Sequence, residues 1–399
     1  MSEPTSDSPS PRDTRGDTLN EAAESSAEQS RQSLFRRTRS LGLLTLLSRI
    51  LGMIRDSVMA MLFGNSAISD AFTLAFRIPN MARQLFGEGA LSAAFLPVFM
   101  RDIEQHGKPT AFRTASAVLS VAAGWLLAIV LITEVVTLTI RATVPLTYEA
   151  DLLLGLIAAL TPYLLLVCLL AQVSAILHGL GEFSIPGLFP VLLNALWISV
   201  ALVLGQLDIS NGTRVYSVAF SIVVIGVLQL LLSIPTLRRL GFEFHWDWSG
   251  SRSRVREIMH TMVPVLVGLS VTQLNTVCDS LIAWGFTAPT DSSAGLLDPY
   301  PVTEGTTAAL YYAQRLYQFP LGVFGVALGT VIFPLLTMHA ARGDFDHFRE
   351  DLARGVRLVI AVGLPASAGL FVVAVPLTQA IFERGDFTHS DTLDTAGMV

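Results

Sequence analysis

The sequence is poor in charged residues, cysteine and lysine. Only 15% of its 399 residues are charged and 52% are hydrophobic, whereas a soluble globular protein usually carries about 25% charged residues. This balance argues strongly against a soluble enzyme, a nucleic-acid-binding protein or a disordered scaffold. The two cysteines, Cys168 and Cys278, lie far apart in apolar stretches, which predicts neither a disulfide framework nor a metal site.

Residues 1–40 differ from the rest of the chain. They are rich in Ser, Glu, Asp and Arg, and such a segment cannot bury enough apolar surface to fold alone. No apolar core follows a short basic start, so this is not a secretory signal peptide. Four arginines (Arg31, Arg36, Arg37 and Arg39) precede the first apolar segment. A basic cluster in this position predicts a disordered tail on the cytoplasmic side.

Apolar segments recur after Ser40. Because a bilayer core needs about 20 apolar residues per helix, we expect an all-α, polytopic membrane protein with about nine spans. The spans are predicted at 41–63, 70–99, 115–138, 152–178, 186–205, 215–236, 258–286, 306–338 and 354–382.

The charges of the connecting loops support this topology. The predicted inner loops hold most of the loop arginines, the predicted outer loops hold Arg141 and Arg214, and the loop 287–305 has neither Lys nor Arg. The asymmetry fits the positive-inside rule with a cytoplasmic N-terminus. Nine spans then place residue 399 outside, shortly after the last span, and we expect a sequence truncated at its C-terminus.

Two stretches of the sequence echo one another. The segment from Ala90 to Pro97 has the same length as that from Ala327 to Pro334, and an Arg precedes each one. Internal repeats with irregular helices are typical of transporters, whose substrate site lies between the halves. We therefore predict two related halves, with six predicted spans over 41–240 and about three over 241–399, and a substrate site between the halves.

Ionisable residues inside the predicted spans are the strongest functional signal. Each costs about 2.5–3.5 kcal/mol at the centre of a bilayer, so these side chains must face a protein interior or a watery cavity. Guanidinium groups bind phosphate and carboxylate oxygens in bidentate fashion, which predicts an anionic ligand. The residues concerned are Arg49, Arg55, Asp56, Asp70, Arg77, Arg83, Glu88, Asp279 and Arg315.

Some of these residues have two open interpretations. Arg49 and Asp56 are seven residues apart and are expected on one helix face. The acids Asp56, Asp70 and Glu88 could equally form buried ion pairs that join helices, for instance Arg55 with Asp70. Asp279 and Asn275 share a helix face and would either bind a cation or proton or form a helix–helix hydrogen bond.

Motifs around these residues resemble the MurJ/MviN family of lipid II flippases, within the MOP exporter superfamily. The resemblance begins with the run from Ser48 to Asp56, and six further motifs follow in the family's order, over residues from about 41 to the end. The others are Asp70-Ala71-Phe72, Arg77-Ile78-Pro79-Asn80 with Arg83, Phe86-Gly87-Glu88-Gly89-Ala90, Phe183-Ser184-Ile185-Pro186, Tyr311-Tyr312-Ala313-Gln314-Arg315 and Phe324-Gly325-Val326-Ala327-Leu328-Gly329.

The resemblance implies two lobes around a central cavity and movement of the undecaprenyl-pyrophosphate-linked peptidoglycan precursor from the inner to the outer leaflet. It implies substrate binding by Arg49, Arg55, Arg83 and Arg315 with Asp70, supported in the cavity by Asp56, Arg77, Asn80 and Glu88. It also implies a cation site at Asp279 with Asn275, coupled to Na⁺ or protons, and no cofactor, resident metal or nucleic acid. Lipid II and membrane lipids would be the partners in the bacterial inner membrane, with cell-wall synthesis proteins as further partners.

The sequence departs from the family pattern in three places. Gln314 stands where many members have Asp, the tail is extra, and the second lobe lacks helices, which puts transport by this chain in doubt. The alternatives are an exporter of another polyprenyl-linked saccharide, a drug exporter, a membrane enzyme acting on a lipid pyrophosphate, and a non-transporting membrane scaffold. The excess of arginine argues against cationic drugs, and no catalytic constellation accompanies the arginines.

Overall fold

A computed structural model describes residues 41–246, 250–287 and 302–399. This part of the chain is helical apart from turns, short connections and an isolated bridge between Thr287 and Val302. The all-α prediction is therefore confirmed. The predicted tail, 1–40, and most of the loop 287–305 lie outside the described residues.

The helices follow the predicted order of apolar segments. A first helix, α1, covers residues 41–63. It is followed by α2 (Ala67–Ala82), a π-helix (Arg83–Ala90), α3 (Leu91–His106), α4 (Lys108–Thr143), α5 (Tyr148–Gly179), α6 (Ser184–Gly205), α7 (Asn211–Arg239), α8 (Arg252–Gly285), α9 (Thr306–Arg342), α10 (Phe345–Phe382) and α11 (His389–Gly397).

Each of the nine predicted spans coincides with helix. By length and composition, α4, α5, α6, α7 and α10 could cross a membrane, and so could α8, which bends by 41° between Val271 and Gln273. The predicted spans at 41–63 and 70–99 are helical as well, but they contain the ionisable residues, which lowers their hydropathy.

The second predicted span is not one regular helix. Its turns widen from α to π at Arg83 and return to α at Leu91. Pro79 lies inside α2 without ending it, and the break falls four residues later. A π-helical turn inside an α-helix is typical of functional sites, and this one begins at a predicted ligand of the substrate.

The apolar core is centred on α5. Leu156, Leu160 and Ile176 of this helix are fully buried, and α5 packs against α2, α4 and α7. In contrast, α10 exposes Phe371 (82%) and Val372 (76%). Exposed apolar side chains on this scale suit a helix that contacts lipid or further protein.

Candidate functional site

A buried ion pair joins two consecutive residues of α1. The Nη2 atom of Arg55 lies 2.7 Å from Oδ1 of Asp56, and the two side chains are 8% and 5% exposed. Arg55 also donates to Oδ1 of Asn194 on α6 at 3.1 Å. The pair between Arg55 and Asp70, which the sequence left open, is not formed: Arg55 binds the adjacent carboxylate instead.

Aromatic rings cover the Arg55 guanidinium. Its Cζ lies 4.6 Å from the centre of the Trp197 ring and 5.9 Å from that of Phe76. The Phe76 and Trp197 rings meet edge to face at 5.0 Å, and Trp197 donates from its ring nitrogen to the Met59 sulfur. Cation–π contacts strengthen when water is excluded, so these rings hold the charged group in a largely apolar environment.

Asp56 connects α1 to α9 through a second arginine. The Nε atom of Arg315 lies 3.0 Å from Oδ2 of Asp56. The Tyr311 hydroxyl accepts from Nη2 of Arg315 at 2.7 Å and lies 3.3 Å from Oδ1 of Asp56. One carboxylate thus faces two guanidinium groups, and each of its oxygens has a cationic partner.

Arg77 adds a third guanidinium without adding a carboxylate. It donates to the backbone oxygen of Thr276 on α8 at 2.6 Å and to Oε1 of Gln314 on α9 at 3.1 Å. Among the directly bonded groups, Arg55, Arg77 and Arg315 outnumber Asp56, and Asp279 of α8 is a further acid close enough to interact with Arg77. A half-enclosed excess of this kind favours an anion.

A cavity of about 210 Å³ lies between α2, α8 and α9. It is lined by Arg77, Arg315 and Asn80, among others. The structure therefore brings a cavity and two of the predicted arginines together between the segments expected to form the two lobes.

Two predicted substrate ligands, Arg83 and Arg49, lie at the edge of this network or apart from it. Arg83, in the π-helix, is half-buried and donates from Nε to Oδ1 of Asn80 at 3.3 Å. The side chain of Glu88 lies outside the described residues. Arg49 is exposed although Asp56 is buried, and the role of Arg49 as a substrate ligand stays a prediction. They share a helix face, but seven residues separate them by about 10 Å along the axis.

Asp70 has a different place from the one that the sequence indicated. It is 1% exposed, and its two oxygens accept from the backbone nitrogens of Gly305 and Ala308, each at 2.7 Å. A carboxylate at this position caps the first turn of α9 and faces the positive end of the helix dipole. In this conformation Asp70 joins α2 to α9, and its role as a substrate ligand stays a prediction.

The two residues of the predicted cation site, Asn275 and Asp279, are in contact. Asn275 donates to Oδ2 of Asp279 at 3.4 Å, and both side chains are exposed. In the described part of the chain no group of three or more His, Cys, Asp or Glu residues could hold a metal ion. The role of Asp279 and Asn275 stays a prediction.

At the predicted outer end, glycines line a close contact that we call the outer seam: residues 61–66, Gly305 and residues 383–395. The backbone nitrogen of Asp386 donates to the oxygen of Met61 at 2.9 Å. A Cβ on Gly64 would overlap the backbone of Asp386, and one on Gly385 would overlap that of Met61. Gly305 lies equally close to the Asn65 backbone. The backbones touch because these positions have no side chain.

Polar contacts extend the outer seam. Nδ2 of Asn65 lies 3.3 Å from the Thr395 hydroxyl. Glu383 accepts from Thr392 at 2.7 Å and pairs with His389 at 3.0 Å, and these hydrogen bonds lower the pKa of Glu383 below its usual value. The α10–α11 connection is thereby fixed against the α1–α2 turn.

The predicted inner end is also closed in this structure. Arg101 at the end of α3 pairs with Glu257 of α8 at 2.8 Å. The neighbouring Asp102, 1% exposed, accepts from Nε of Arg254 and from the Thr114 hydroxyl, each at 2.7 Å. These pairs join α3 to α8 at the predicted inner end, as the outer seam joins segments at the predicted outer end.

Sequence reasoning assigned no role to Tyr311 or Asp102. Tyr311 precedes Arg315 by four residues, a spacing that puts both on one helix face, and this signal could have identified it. Asp102 lies in the predicted inner loop between the second and third spans. No pattern in the sequence distinguishes it from an exposed acid.

A helical bundle with several helices of membrane-spanning length and an arginine-lined cavity is typical of a polytopic transporter. Among solved structures, the fold is similar to a lipid II flippase MurJ in an inward closed conformation, with a TM-score of 0.68 and 24% identity, covering 89% of this chain and 70% of that one. It is also similar to an inward-facing MATE multidrug transporter of the MOP superfamily, with a TM-score of 0.64 and 15% identity, covering 88% of this chain and 75% of that one.

Sequence comparison identifies the family. The family model described as lipid II flippase MurJ matches residues 59–399. A probable lipid II flippase MurJ of Haemophilus influenzae is 34% identical, and the alignment covers 87% of this chain and 68% of that protein. Its counterpart in Vibrio cholerae is 33% identical, with 87% and 65% covered. The chain belongs to the MurJ family, and it spans about two thirds of the length of these relatives.

Family membership confirms the resemblance seen in the motifs and decides among the alternatives. MurJ proteins are transporters, not enzymes, and are multi-pass proteins of the bacterial inner membrane. The membrane enzyme acting on a lipid pyrophosphate is therefore set aside.

Proposed function

We propose that this protein moves lipid II from the inner to the outer leaflet by alternating access, in support of cell-wall synthesis. The observation that carries the proposal is the network of Arg55, Asp56 and Arg315 beside the cavity, in a chain of the MurJ family. Its excess of guanidinium groups suits a pyrophosphate, which offers several oxygens for bidentate hydrogen bonds.

The closed structure suggests how the cycle proceeds. The inner pairs of Arg101 and Asp102 with α8 open first, and the pyrophosphate then competes with Asp56 for the Arg315 guanidinium. The outer seam opens after the inner end has closed again, while the polyprenyl tail stays in the bilayer. The N-terminus is cytoplasmic in this scheme, in accord with the loop arginines.

Coupling to Na⁺ or protons at Asp279 and Asn275 belongs to the same proposal. Moving one elementary charge through 100 mV supplies about 2.3 kcal/mol, enough to bias the return step. A matched pair of variants tests it: Asp279→Asn removes the charge, and Cys278→Ser changes the adjacent exposed residue. We expect only Asp279→Asn to abolish the dependence of transport on a cation gradient, and unchanged dependence would refute this assignment.

Arg315→Ala and Arg83→Ala test the function. Each variant is expressed in cells depleted of their own flippase, and the accessibility of lipid II in the outer leaflet is measured by labelling. We expect transport with the unchanged chain and none with either variant at equal protein level, because a binding guanidinium is lost. Arg239→Ala, at the exposed end of α7, serves as the control. Normal transport by both cavity variants would show that these arginines do not capture the substrate.

A further inference from the structure

The cavity wall contains many side-chain amides. Arg77 and Arg315 are the charged residues in its lining, and five of the thirteen lining residues carry a side-chain amide. The amides belong to Asn80, Gln84, Gln273, Gln314 and Gln318. An amide offers both donors and acceptors and has no net charge. This composition suits a neutral ligand with hydroxyl and amide groups better than a second phosphate.

The amides come from three helical segments and surround the space. Asn80 and Gln84 belong to α2 and the π-helix, and Gln273 to α8 just after its bend. Gln314 and Gln318 are four residues apart on α9 and so share a helix face. Side-chain amides from α2, the π-helix, α8 and α9 thus meet at one cavity. Burying an amide without a hydrogen bond costs free energy, so five of them at one cavity call for a partner.

The amide and arginine side chains occupy different parts of the cavity lining. Arg315 is tied to Asp56 and Tyr311 on the α1 side, where the charge network lies. Gln314 accepts from Arg77 through Oε1, so its NH₂ group remains a donor toward other partners. The charged and neutral parts of the lining are thus adjacent but distinct, like the charged and neutral parts of a lipid-linked head group.

We infer that this amide wall, residues Asn80, Gln84, Gln273, Gln314 and Gln318, binds the part of the head group beyond the pyrophosphate, through its hydroxyl and amide groups, and selects substrates that carry it. The inference rests on the proposed function, because it presumes that a lipid pyrophosphate enters this cavity. Saccharide and peptide share the relevant chemistry, and different lipids can separate them.

The test uses the double variant Gln273→Leu/Gln318→Leu of the purified chain. Leucine keeps a similar volume and removes the hydrogen bonds, while Gln314 is left in place because it holds Arg77. The matched control is Gln206→Leu, at an exposed position after α6. Binding is measured for three lipids: undecaprenyl pyrophosphate, the same lipid carrying only the saccharide, and complete lipid II.

We expect the double variant to bind lipid II about tenfold more weakly, since each neutral hydrogen bond contributes about 0.5–1.5 kcal/mol. Its affinity for undecaprenyl pyrophosphate should not change, which also shows that the variant is folded. A loss for the saccharide-bearing lipid assigns the wall to the sugar, and a loss for lipid II alone assigns it to the peptide.

Two results would overturn the inference. In one, the double variant binds lipid II as well as the Gln206→Leu control does. In the other, it loses affinity for all three lipids alike, which would mean that the amides only shape the cavity. If the unchanged chain binds none of the three lipids, the proposed function fails as well, so the two failures can be told apart.

Discussion

At the residue scale, Asp56 is the centre of the charge network. It is 4% exposed and faces Arg55, Arg315 and the Tyr311 hydroxyl. Removing one partner of a buried ion pair is costly, because the remaining charge stays in an environment of low polarity. Here two guanidinium groups would lose their carboxylate at once.

Asp56→Ala should therefore destabilise the protein strongly, by about 3–5 kcal/mol. Thermal unfolding in detergent measures the effect, and Asp346→Ala, at an exposed position in the first turn of α10, is the control. A pyrophosphate-containing lipid should restore part of the lost stability, since it supplies the missing negative charge. If the variant unfolds at the same temperature as the control, Asp56 does not stabilise the closed state.

Asp70→Asn should weaken the outer seam. Asparagine loses the charge that faces the start of α9 and keeps one acceptor oxygen, at a cost of about 1–2 kcal/mol. A cysteine placed at Asn65 should then react about five- to thirtyfold faster with a membrane-impermeant maleimide.

Asp208→Asn is the matched control for Asp70→Asn, because it makes the same change in an exposed outer loop. Equal labelling rates in the two variants would mean that Asp70 does not hold the seam, and its predicted role as a substrate ligand would then be the better account.

At the element scale, the structure shows which secondary-structure elements could be predicted from the sequence. The positions of the helices follow from apolar runs of about 20 residues, and every predicted span is helical. The π-helix could not be predicted in its details, because Pro79 and the following glycines indicate irregularity but not its type. The partners of Asp70 could not be predicted from the sequence either, since they are backbone atoms 235 and 238 residues away.

Gly385→Ala should open the outer seam, whereas Gly343→Ala should not. Both glycines have positive φ, 60° and 69°, so alanine costs about 1–2 kcal/mol of backbone strain at either position. A Cβ on Gly385 would also overlap the Met61 backbone, whereas one on Gly343 meets nothing within 4 Å. The maleimide assay at Asn65→Cys measures the difference. Faster labelling in both variants would attribute the effect to strain alone.

At the scale of the whole molecule, the predicted inner and outer ends are held together by contacts of two kinds. The inner end is held by side-chain ion pairs, of which Arg101–Glu257 is exposed at 43% and 46% and so contributes little to stability. The outer end is held by backbone contact at glycines and by the Asp70 cap. The sequence could not show this asymmetry, because it depends on contacts between distant segments, and the assignment of the two ends to the inner and outer sides stays a prediction.

A disulfide across the outer seam should stop transport. Asn65→Cys and Thr395→Cys are combined in a chain with Cys168→Ala and Cys278→Ser, and lipid movement is followed in vesicles before and after oxidation. We expect loss of transport in the oxidised form and recovery with a reductant, because the seam must part to release the head group outward. Each single cysteine serves as a control. Unchanged transport by the cross-linked form would exclude an exit through this seam.

The π-helix between α2 and α3 also determines how far α3 is rotated about the helix axis relative to α2. Each residue of an α-helix turns the chain by about 100°, so the loss of one residue between Arg83 and Ala90 would rotate α3 by that amount relative to α2. Arg101 and Asp102 would then leave α8, while Asp70 and Arg77 kept their partners on α9. The length of this short segment, more than its composition, makes the inner and outer closures compatible.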